Sequence, residues 1–133
     1  MGTKKNVRRI PEKEMKNLMA RLYRLFEIHA DKFVFDRSPK YKGFISYNTG
    51  EQKGTTVDFI MIDFRDELFS TLVHECLHFL FPHHTEKQIE MLERRFLKTI
   101  SPQQVRNFLY RFSIHVCTTV PSRKALKLSR ECK

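Results

Sequence analysis

The segment His74-Glu75-Cys76-Leu77-His78 brings together residue types that can do chemistry at a spacing that lets them do it. Two histidines four residues apart share one helical face, with Cβ atoms about 5–6 Å apart. Two imidazoles so placed can reach a single metal ion. A glutamate beside the first can accept a proton from a metal-bound water. Zinc lowers the pKa of such a water towards ~7, which makes hydroxide available at neutral pH. The spacing therefore predicts a hydrolytic zinc centre, with one zinc per chain. His74 and His78 are the expected ligands, and Glu75 the general base rather than a ligand.

The flanking residues predict the helix that must carry this motif. Asp63 can cap it, with Asp66 three residues on, and the helix should run to about Phe81, where Pro82 stops it. Leu68, Phe69, Leu72, Val73, Cys76, Leu77, Phe79, Leu80 and Phe81 make it apolar almost all round, so it should be buried. Glu67, Thr71, His74, Glu75 and His78 form its one polar stripe. Buried polar groups need partners, and a metal ion would satisfy both imidazoles at once. Cys76 reads as a small apolar core residue.

The other elements follow from period and punctuation. Met15, Leu18, Met19, Leu22, Leu25, Phe26 and His29 keep a helical period, with Pro11 at the expected first position, so a helix should span about 11–30. Short strands are expected at 33–35 and 43–47, a turn at 48–54, and the strongest strand at 55–62. That last strand, if it edges the sheet, would hold a peptide as an added antiparallel strand. Thr85-Glu86-Lys87-Gln88 and Ser101-Pro102-Gln103-Gln104 read as capping boxes for two further helices, the second reaching about His115. Helix, strands, then helices make a single α+β domain.

A catalytic zinc usually keeps three protein ligands and one water, so a third must come from beyond Pro82. On the helix after Thr85, residues Ile89, Leu92, Phe96 and Ile100 mark the inward face. Glu86 and Glu93 fall near its edge, and Glu90 lies further out. His84 is the alternative. Spacing alone leaves Glu86, Glu93 and His84 open. His29 and His115 read as boundary histidines. Tyr47, Tyr110 and His115 are open candidates for an oxyanion contact.

With these residues in view, Thr55 to about Phe96 resembles the catalytic core of small HExxH zinc metallopeptidases, and is most similar to minigluzincin-like and SprT-like domains. Pro82 and the Thr85-Glu86 pair match residues that follow the motif in short members. The resemblance covers about a third of the chain. It implies a zincin fold and peptide hydrolysis, and it favours Glu86, which would make the site a gluzincin. The spacing from His74 and His78 to His84 is shared with metzincins and with YbeY-type RNA-processing enzymes. Both carry Gly where Phe81 stands, and the YbeY type carries Gly where Glu75 stands. A metal-dependent nuclease, or a non-catalytic zinc-stabilised module that binds nucleic acid, is the alternative function.

Composition sets the remaining bounds. The chain has 133 residues, enough to bury a core without disulfides. Twelve Phe and no Trp predict a Phe-rich core. Three cysteines without paired spacing fit a reducing cytoplasm, and no apolar stretch is long enough for a membrane span. The formal net charge of +10 favours polyanionic partners. Basic residues crowd both ends, about 1–9 and 119–133, and these are expected to be tails that bind nucleic acid non-specifically.

Overall fold

A computed structural model describes residues 7–36, 43–50, 54–63 and 68–131. Its organising element is β3 (Gly54–Asp63), which lies between β1 (Phe33–Asp36) and β2 (Gly43–Gly50). β1 runs parallel to β3 and β2 antiparallel to it. The long β-branched and aromatic run of β3 is explained by its surroundings, for it is paired on both sides and covered on both faces. Ile60 and Ile62 face the main core, whereas Phe59 and Met61 face a second apolar cluster with Val34. The register slips where Ser46 pairs with Phe59 and Tyr47 with Val57, leaving Asp58 as the extra residue. Such a bulge reverses the alternation of faces, which is why Val57 joins the main core although it stands two residues from Phe59.

Five α-helices surround this sheet among the described residues: α1 (Glu12–His29), α2 (Leu68–Leu80), α3 (Glu86–Thr99), α4 (Pro102–His115) and α5 (Arg123–Glu131). The architecture is α+β and mostly helical. Phe26 of α1 is fully buried and meets Phe108, Phe112 and Phe33 edge to face, with ring centroids 5.2, 5.3 and 6.1 Å away. Phe69 of α2 packs on Phe108 at 5.2 Å, so the aromatic cluster ties the motif helix to α1 and α4. Both expected capping boxes are present, at Thr85/Gln88 and Ser101/Gln104.

Four expectations need correction. The strand at 55–62 is central, so it has no free edge to accept a peptide; the edges are β1 and β2, and β2 lies against α2. Asp63 ends β3 and therefore does not cap α2, while Asp66 lies outside the described residues. Pro11 stands one residue before α1, at its N-cap, with extended ψ. The basic ends are not loose tails where they are described. Val7 and Arg8 accept hydrogen bonds through their carbonyls from Lys98 and Arg95, and Ile10 is buried, its N–H donating to Thr99. Residues 123–131 form α5, whose Ala125 and Ser129 are buried and which covers Val34, Phe59 and Met61. An apolar sheet face left bare would cost about 25 cal/mol per Å2, and α5 removes that cost. No helix among the described residues is long and apolar enough to cross a membrane.

Candidate metal centre

The site is made where α2 meets the start of α3. The apolar residues of α2 drive its burial, and Cys76 and Leu77 are fully enclosed. This leaves His74 and His78 on one face with only their edges exposed, at 17% and 15%, and with ring centroids 4.9 Å apart. Arg21 of α1 fixes the end of α2, donating to the Leu80 carbonyl at 3.0 Å and stacking over Phe81. The chain then turns, with His84 N–H donating to the Phe81 carbonyl. The Thr85 capping box starts α3 at residue 86, which sets Glu86 in the first turn, where the helix dipole favours an acid.

Glu86 spans the two histidines. Its Oε1 lies 2.7 Å from His78 Nε2 and its Oε2 lies 2.9 Å from His74 Nε2. His74, His78 and Glu86 form a group whose ligand atoms all lie within 4.8 Å of one another, so it could hold a metal ion. Two imidazole nitrogens and one carboxylate oxygen are a donor set that suits zinc and leaves a coordination position open.

Glu93 and His84, the other candidates, stand elsewhere. Glu93 lies two turns further along α3, on nearly the same face, and bonds the opposite nitrogen of His74, Nδ1, at 2.7 Å. Its second oxygen accepts from Ser70 Oγ at 2.6 Å. The carboxylate thus fixes the ring so that Nε2 faces Glu86, as residues behind metal-bound histidines do. His84 is exposed, with its ring against Phe81, and does not join the group. Ser70 and Arg21 were not anticipated. Ser70 stands four residues before His74, on the same face, and that spacing is the signal that could have found it.

The charges respond to this packing. The hydrogen bond to Glu93 raises His74 to about 9, against the opposing effect of burial. His78 lies below its usual value because burial disfavours its charged form, despite the bond to Glu86. Burial works to raise the Glu93 carboxyl, but the bonds from His74 and Ser70 outweigh it and hold the pKa low. Glu75 is only 7% exposed, and burial lifts its carboxyl to about 7. Cys76 is fully buried, its thiol pushed well above the usual range, as suits a core residue. His29 stacks on Phe79 at the α1–α2 contact, Tyr110 is exposed on α4, and the side chain of Tyr47 lies outside the described residues.

A pH dependence follows. Metal uptake requires His74 Nε2 without its proton, and that proton is held up to about pH 9. The affinity for a divalent metal ion should therefore rise about tenfold per pH unit between about 6.5 and 8.5, with about one proton released per ion. Calorimetry in buffers of different ionisation enthalpy measures that release. A release of zero would show that His74 is neutral in the metal-free protein.

No protein-family model, curated protein or solved structure matches the chain, so the functional reading rests on this geometry and on the motif.

Proposed function

We propose that the chain is a zinc-dependent metallopeptidase with a zincin-like fold, in which His74, His78 and Glu86 hold the zinc and Glu75 is the general base. One observation carries this reading: two histidine Nε2 atoms converge on the Glu86 carboxylate at 2.7 and 2.9 Å, one residue from the buried acid Glu75. A bound zinc supplies Lewis acidity for the scissile carbonyl and acidity for the attacking water. The chain does the remaining work. Glu75 takes the proton of the water and returns it to the leaving amine, a task suited to a carboxyl whose pKa of about 7 is close to the working pH. Glu93 and Ser70 hold the His74 ring in orientation. The edge strand β2, beside α2, offers backbone groups to an extended peptide.

The test is reconstitution. Metal-free protein given one equivalent of zinc should cleave an unfolded protein or a quenched fluorescent peptide, lose that activity to a chelator and regain it on zinc. Failure to take up zinc, or cleavage of RNA in place of protein, would overturn the proposal.

A further inference from the structure

At about 100° per residue, the cations of α5 are sorted by the packing of the helix. Ala125 and Ser129 point to the sheet and are buried. Arg123, Lys127 and Arg130 fall within an arc of roughly 60° on the opposite side. They line a surface cavity of about 380 Å3, together with Leu126 and with Glu131 at its end. Seven rises along the helix, from Arg123 to Arg130, place these three cations along about 10 Å.

Some other basic side chains are engaged with protein groups. Arg95 and Lys98 donate to carbonyls near the N-terminus, Arg111 faces Glu27 and Tyr23, and Arg21 stacks on Phe81. Among the described residues, Arg123, Lys127 and Arg130 pair with no acid. Their charge is held in a fixed line by a helix that is anchored on the sheet. Ser122 caps that helix through Ala125 N–H, and its own N–H donates to the Asp31 carbonyl.

We infer that this face of α5 docks the phosphodiester backbone of nucleic acid without reading its bases. A duplex offers one negative charge per about 1.7 Å of its axis, a density that a line of cations can follow. Leu126 is the one apolar residue among the described lining, which has no aromatic ring on which a base could stack. A membrane surface is disfavoured because the apolar face of α5, which would have to enter the lipid, is spent on Val34, Phe59 and Met61. An acidic protein would bring apolar contacts that this face does not return. The inference does not depend on the metal centre.

The experiment is fluorescence anisotropy with a labelled mixed-sequence DNA duplex and the full chain, between 50 and 200 mM salt. Three phosphate contacts give a log–log slope of about −2.7, which is roughly a 40-fold loss of affinity over that range. The variant R123Q/K127Q/R130Q should bind at least about tenfold more weakly, with a slope shallower by about 2–3. Its thermal midpoint and peptide cleavage should match the parent; if the triple variant folds poorly, each single variant should lower the slope by about 1. E75Q should bind DNA as the parent does. The inference is overturned by no binding at 50 mM salt or by an unchanged slope in the variants. It is equally overturned if polyglutamate competes as well as DNA, or if anionic phospholipid vesicles bind more tightly than DNA.

Discussion

Replacing Glu75 by Gln is expected to abolish peptide hydrolysis while zinc content stays at that of the parent. The amide keeps the shape of the side chain but cannot accept a proton from water. General-base catalysis contributes about 10²–10⁴-fold, so the loss in kcat should be at least of that order. His74, His78 and Glu86 are untouched by the change, so zinc measured by elemental analysis should not fall. A second readout separates this effect from misfolding. The folded pKa of Glu75 is raised from 4.5 to about 7. Its contribution to stability is therefore full below about pH 4.5 and is lost as pH rises through about 7. The metal-free parent should lose stability across that window relative to Glu75→Gln, whose amide does not titrate, and denaturant midpoints at several pH values would show it. Normal turnover by Glu75→Gln would remove Glu75 from the mechanism.

Much of the fold and the centre of the site were legible because each rests on a local rule. The capping boxes at Thr85 and Ser101 fixed two helix starts to the residue, since a cap is a contact across three positions. The apolar surround of the motif marked α2 as buried before any partner was known. What failed needed knowledge of neighbours in space. The run 55–62 reads as a strong strand, but its apolar content does not say whether it is central or at an edge; it is central because β1 and β2 pair with its two edges, and it is apolar on both faces because α5 covers the second one. The C-terminal helix escaped notice for the matching reason. Four of its nine residues are basic, the two fully buried ones, Ala125 and Ser129, are small, and Leu126 and Leu128 pack on the cluster only in part, so the hydrophobic signal is weak.

The site shows the same division. His74, Glu75 and His78 are separated by helical spacing alone. The roles of Glu86 and Glu93 depend on how α2 meets α3. His78 contacts Glu86, His74 contacts both Glu86 and Glu93, and Ser70 contacts Glu93. Later residues of one helix meet earlier residues of the other, so the pair runs antiparallel. Glu86 and Glu93 stand seven residues apart, almost on one line of α3, and so meet α2 at successive turns. The sequence places both near one edge; only the antiparallel register assigns one to the Nε2 atoms and the other to Nδ1.

That register sets the ordering expected from alanine substitutions. Glu86→Ala should weaken zinc binding by about 10²–10³-fold, if the roughly 10–16 kcal/mol of a four-ligand zinc site is shared among its ligands. Glu93→Ala removes the group that orients His74 and should cost less, about 10–100-fold. His84→Ala should leave zinc affinity unchanged, because that ring lies on Phe81 and outside the group. Glu86 has a side chain 60% exposed, so its loss should barely move the stability of the metal-free protein. A fall in affinity there therefore reports coordination and not unfolding. Competition titrations with a chromophoric chelator at fixed pH would rank the three variants. A larger loss from His84→Ala than from Glu86→Ala would replace the His-His-Glu centre with a three-histidine one. A loss from Glu93→Ala as large as that from Glu86→Ala would place Glu93 on the metal itself.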